Sequence, residues 1–94
     1  MENDTKTQEN KQDSCQIALY STYKIASIFA LDATDVRSLM LIIGLSQACK
    51  IILETMKTNN IDISDGLENA KEDILLLIKS PGDFIDNERN KHKD

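Results

Sequence analysis

The sequence predicts an all-α protein: a small bundle of three main helices and a short C-terminal one, built on an antiparallel helical hairpin and dimeric. Three observations carry that reading. With no Trp, two Phe, two Tyr and one Pro, the core must be built from Leu, Ile, Ala and Met, which packs helix on helix more readily than sheet on sheet. Two long segments, near 14–31 and 34–58, carry apolar residues at helical spacing and are separated only by Asp32-Ala33-Thr34-Asp35. So short a connection folds consecutive helices back on each other. Each segment is also apolar on two faces, and a helix apolar all round is covered all round. In a chain of 94 residues that calls for a partner as well as an internal core.

Residues 1–13 offer no apolar side chain after Met1 to offset the entropy of ordering, so an unordered N-terminal tail is expected. Asp13 or Ser14 can cap the first helix, which runs to Leu31. Ile17, Ala18, Ile25, Ile28 and Phe29 form one stripe on it, read as the core side. Leu19, Tyr23, Ala26 and Ala30 form a second, and Gln16, Lys24 and Ser27 a narrow wet strip between them. Asp32 or Thr34 is the expected cap of the second helix, with the Asp35 carboxylate in its first turn.

The centre of that helix is Leu39-Met40-Leu41-Ile42-Ile43-Gly44-Leu45. That seven-residue apolar run, bracketed by Arg37 and Lys50, falls short of the roughly 20 that cross a bilayer. Further on, Leu45, Ala48, Cys49, Ile52, Leu53 and Met56 share one side, joined from the first half by Leu41 and Ile42; Gln47, Lys50, Glu54 and Lys57 lie opposite. Val36, Met40 and Ile43 point the way of the later polar group and so make a second apolar face. Small residues recur four apart, Ala26 with Ala30 and Gly44 with Ala48, as tight helix packing uses them.

Thr58-Asn59-Asn60 ends the helix, since Asn tolerates left-handed backbone. Ile61-Asp62-Ile63 then reads as an extended linker whose isoleucines tuck under the bundle. Asp65-Gly66-Leu67-Glu68 has capping-box spacing and opens a third helix, 65–79, with Leu67, Ala70, Ile74, Leu77 and Ile78 inward and Glu68, Asn69, Glu72 and Asp73 in water. Ser80-Pro81-Gly82 stops it. Asp83 can cap a fourth helix over 83–90 that returns Phe84 and Ile85 to the core, and 87–94 reads as a charged tail. The expected domain is therefore 14–86.

A net charge of -5 repels a phosphate backbone, so direct nucleic-acid binding is not expected. The first residues lack the basic and apolar regions of a secretory signal, and Cys15 and Cys49 sit in apolar helices, as free thiols of a reducing cytoplasm do. The lone histidine, His92, lies in the charged tail, and neither cysteine has a base or an electropositive setting, so no acid, base or nucleophile stands out. Reading 61–72 as a calcium loop puts Ile61 where the first carboxylate belongs, and the motif fails. No cofactor, metal or small-molecule substrate is implied.

By elimination, the sequence predicts a cytoplasmic, non-enzymatic protein-binding module. It would be a homodimeric adaptor, regulator or inhibitor whose partner face is Leu19, Tyr23, Ala30, Val36, Met40 and Ile43. The partner is a second copy, another protein, or both. The alternative is an acidic inhibitor of the phage counter-defence type. It would occupy a nucleic-acid-binding groove of its target through Asp65, Glu68, Glu72 and Asp73.

Overall fold

A computed structural model describes residues 2–32 and 34–92, with side chains described for 14–32, 34–64 and 67–92. Its α-helices are α1 (Glu2–Leu31), α2 (Val36–Thr58), α3 (Lys71–Lys79) and α4 (Pro81–Lys91), with a 3-10 helix, Asp65–Ala70, leading into α3. The fold is all-helical, as expected. Helical backbone in α1 begins at Glu2 rather than at Asp13 or Ser14. The expected unordered tail, 1–13, falls on residues whose side chains lie outside those described.

Helices α1 and α2 form an antiparallel hairpin, with Ser14, Cys15 and Ala18 meeting Ile51, Ile52 and Thr55 at the end away from the turn. The cap of α2 is Asp35, not Asp32 or Thr34. Its backbone is extended (φ -127°, ψ 171°), and its Oδ1 accepts the Ser38 amide at 2.8 Å. Asp32 instead serves the turn, where its carbonyl accepts from the Thr34 amide. At the other end Asn60 takes the left-handed conformation, φ 56°. The Ile61 amide reaches the Met56 carbonyl at 2.8 Å and the Asn60 amide reaches that of Lys57 at 3.1 Å, the paired closure of a Schellman cap.

This cap aims the extended stretch 61–64 across the hairpin, where Ile61 and Ile63 pack against the core. Gln16, expected to face water, pins that stretch: its Nε2 donates to the Asp62 carbonyl at 2.6 Å and its Oε1 accepts the Ser64 amide at 3.1 Å. The next segment is tighter than the α-helix expected over 65–79. Leu67 and Ala70, both buried, stand three apart, and a 3-10 helix places i and i+3 on one side. The α-helical register that follows buries Ile74 and Leu77. The capping role read for Asp65 lies outside the described side chains.

Ser80 closes α3 and opens α4 in one residue, its extended backbone (φ -150°, ψ 90°) letting its Oγ accept the Asp83 amide at 3.4 Å. Pro81 then stands at the first helical position, where its missing N–H costs nothing. Ser80, not Asp83, is the cap, and α4 runs on through Lys91. The stretch 87–90, expected both as the end of the fourth helix and as the start of a frayed charged tail, is helical, as is Lys91, and Glu88 within it is 2% exposed.

The core lies between the hairpin and a layer formed by α3 and α4. On α1 it takes Leu19, Tyr23, Ala26 and Ala30, the stripe expected to face a partner. The stripe expected inside, Ile17, Ile25, Ile28 and Phe29, is exposed. Small side chains decide this, because Ala26 and Ala30 let α4 come close enough for Arg89 Nε to donate to the Ala30 carbonyl at 3.1 Å. On α2 the buried residues are Ile42, Ser46, Cys49 and Met56. Ser46 satisfies its hydroxyl by donating to the Leu77 carbonyl at 2.7 Å, which ties α2 to α3.

Candidate functional site

The smallest dimension of the molecule is 17 Å, the thickness of two packed helix layers. The α3–α4 layer covers one side of the hairpin, and among the described residues nothing covers the other. Along α2 the uncovered residues are Val36 (68% exposed), Met40 (65%), Leu41, Ile43 and Ile51 (62%), spread over roughly 160° of the helix circumference at 100° per residue. Along α1 they are Ile17, Ile25, Ile28 and Phe29. The seam between the helices is a groove of about 220 Å³ lined by Cys15, Ala18, Ile51, Ile52 and Thr55. A second apolar groove of about 350 Å³ lies where Leu39 and Ile43 meet Pro81, Gly82 and Ile85.

Of the partner residues read from the sequence, Val36, Met40 and Ile43 therefore lie on this open face. Leu19, Tyr23 and Ala30 do not: they are 0%, 7% and 0% exposed and belong to the protomer's own core. Sequence periodicity found both stripes of α1 and assigned them in reverse. The signal that could have separated them is size, since a stripe with two alanines suits close helix approach better than one rich in isoleucine.

The acidic set does not form one surface. Glu68 and Glu72 are exposed, the Asp65 side chain lies outside those described, and Asp73 turns inward. Asp73 Oδ2 accepts the Tyr23 hydroxyl at 3.2 Å, its Oδ1 accepts Asn87 Nδ2 at 3.2 Å, and Lys91 pairs with it. Lys91 also forms an ion pair with Glu88 Oε2 at 3.0 Å. Glu88 Oε1 accepts the Ser27 hydroxyl at 2.5 Å. Asp73, expected in water, is thus the hinge of a polar network that joins α1, α3 and α4.

The electrostatics fit a latch. Burial, then the charges of Glu88 and Asp73, push the Tyr23 phenol up to about 12, so it stays a donor. Burial opposes the charge on Lys91, but the hydrogen bonds and charges of Asp73 and Glu88 outweigh it and hold the ammonium protonated. Each carboxylate in the network already has partners within the protomer.

Both cysteines are free thiols. Cys49 is fully buried, and burial pushes it up to about 11, far from a reactive thiolate. His92 follows α4 as its exposed cap. Among the described residues no group of three His, Cys, Asp or Glu is placed to hold a metal ion.

One further property of α2 exceeds the sequence reading. By length and composition alone it is apolar enough to cross a membrane, with a mean hydropathy of 1.6 over its best 18 residues, of which 17% are buried. The seven-residue run understates this, because the apolar character continues past Lys50 through Ile51, Ile52 and Leu53. In the fold that hydropathy is divided between the core side of α2 and its open side. Comparison with protein-family models, with curated proteins and with solved structures finds no match for this chain.

Proposed function

We propose that this protein is a non-enzymatic interaction module, a homodimeric adaptor, regulator or inhibitor that works by association through the open face of the α1–α2 hairpin. One observation carries the reading. The hairpin is apolar on both sides and among the described residues only one side is covered, leaving Ile25, Ile28, Phe29, Met40, Leu41 and Ile51 at the surface. A contiguous apolar patch beyond a few hundred Å² marks an interaction site, and its occupant gains the burial that the protomer forgoes. The partner residues are accordingly Val36, Met40 and Ile43 on α2 with Ile25, Ile28 and Phe29 on α1.

The alternative, an acidic mimic of nucleic acid, finds less support, because Asp73 is consumed by the internal latch and cannot serve a basic groove. The absence of a prominent acid, base or nucleophile in the sequence supports the non-enzymatic reading.

Met40→Lys tests the proposal. At 65% exposure the substitution leaves the core intact, so helical circular dichroism should be unchanged. In an interface centre it should weaken association by about 2 kcal/mol or more, read as mass by light scattering across concentration. A protein that is monomeric at high micromolar concentration and binds no apolar dye would refute the reading. So would undiminished cellular activity in a Met40→Lys variant.

A further inference from the structure

The open side of α2 carries six residues in strict three-four alternation: Arg37, Met40, Gly44, Gln47, Ile51 and Glu54. That spacing follows a single line along a helix, the line a left-handed coiled coil uses, here apolar at Met40 and Ile51 and charged at its two ends. All six side-chain positions are exposed, and a Cβ built on Gly44 would meet nothing within 4 Å. The order along the seam is also self-complementary when reversed. Positions 37 and 54, 40 and 51, and 44 and 47 share one midpoint, between Leu45 and Ser46. A cation at one end therefore answers an anion at the other, an apolar side chain answers an apolar one, and glycine answers the long side chain of Gln47.

We propose that the occupant of the open face is a second copy of this chain, its α2 lying antiparallel across the first. Arg37 then pairs with the partner subunit's Glu54, Met40 packs on the partner subunit's Ile51, and Gly44 leaves room for the partner subunit's Gln47. The inference rests on the association reading above and names its partner and register. Among the described residues neither Arg37 nor Glu54 has a side-chain ion pair within the protomer, so both charges are available at the two ends of the seam. Each pairing occurs twice about the two-fold axis, as an isologous interface requires.

The area suffices. A face two helices wide, about 20 Å, and as long as α2, about 35 Å at 1.5 Å per residue, offers on the order of 700 Å². A standard interface takes about 600–1,000 Å² from each partner. Around the central seam Leu41, Ile25 and Phe29 extend the apolar ground toward α1, and Val36 and Ile43 extend it toward α4.

Charge exchange tests the register directly. Arg37→Glu and Glu54→Arg, each alone, place like charges opposite one another at both ends and should weaken the dimer about tenfold or more. The double variant R37E/E54R restores both pairs and should return dimerisation to within about threefold of the parent, as coupled positions require. Mass by sedimentation velocity gives the readout, with circular dichroism confirming that each variant is folded. Added salt should weaken the parent and the double variant alike.

A dimeric parent whose single variants dimerise as well as it does, or whose double variant stays weak, would overturn the antiparallel register while leaving association through this face intact. A monomeric parent would overturn the second copy as occupant, and with it the homodimeric form of the proposed function. If that monomer sediments with neutral phosphatidylcholine vesicles, the occupant is a lipid surface instead.

Discussion

The Ser27 hydroxyl on α1 donates to the Glu88 carboxylate on α4 across 2.5 Å, joining residues 61 positions apart. Glu88 is 2% exposed, so this bond and the Lys91 ammonium are what compensate its removal from water. Because Lys91 also pairs with Asp73 on α3, the last helix is tied to the rest of the fold by polar groups as well as by Phe84 and Ile85. Polar pairing is specific in direction where apolar packing is not, and α4 is too short to be stable in isolation.

Glu88→Ala should therefore destabilise the fold by about 2–3 kcal/mol, less than a fully buried pair loses because Lys91 remains partly solvated. Glu88→Gln should cost less, as its amide oxygen can still accept from Ser27. Urea denaturation at neutral pH ranks the two. Equal stability of Glu88→Ala and the parent would mean that the latch holds nothing.

The assignment of the two α1 stripes has a sharp consequence. Leu19→Ala opens a cavity in the core and should cost about 2–5 kcal/mol, whereas Ile28→Ala, at a position 65% exposed, should stay within about 0.5 kcal/mol. Both are to be measured at protein concentrations below association. The reverse ranking would put the isoleucine stripe inside.

Tyr23 predicts alkaline sensitivity. The phenol ionises near its ordinary 10.0 in the unfolded chain and is pushed up to about 12 in the folded one. The unfolded state therefore loses its proton first. Stability from this group is complete below pH 10 and is lost as pH rises from 10 toward 12. Tyr23→Phe should flatten that decline in denaturation measured on either side of pH 10, leaving the share that the buried Cys49 thiol, pushed from 9.0 up to about 11, contributes with the same sign. An unchanged slope in Tyr23→Phe would count against burial of the Tyr23 phenol beside the Glu88 and Asp73 carboxylates.

The two thiols should differ in access. Cys15 is half-buried at the groove and Cys49 is buried, so a maleimide should add once to the native protein and twice in denaturant, with mass spectrometry placing the first adduct on Cys15. Rapid double labelling of the native chain would show that α2 leaves the core readily.

The element order and most helix ends were legible in local sequence. Asn60 announced its left-handed cap, Leu31 and Thr58 ended their helices where expected, and Ile61 and Ile63 reached the core as an extended linker should. Caps were harder. Asp32, Thr34 and Asp35 are chemically equivalent candidates, as are Ser80 and Asp83, and only the backbone angles select among them. Ser46 and Gln16 escaped because a polar residue leaves no trace in hydrophobic periodicity when its partner, the Leu77 carbonyl or the 61–64 backbone, is remote in sequence.

By itself the sequence determined that the chain is helical, that α1 and α2 fold back on each other, and that both helices carry two apolar faces. These are properties of spacing and of a four-residue connection, both local. Which face becomes core was decided only by tertiary structure. Periodicity measures the direction of apolar side chains but not the distance to which a neighbour can approach. The close docking of α4 on Ala26 and Ala30, locked by Ser27, Glu88, Asp73 and Lys91, buried the smaller stripe and left the larger one outside.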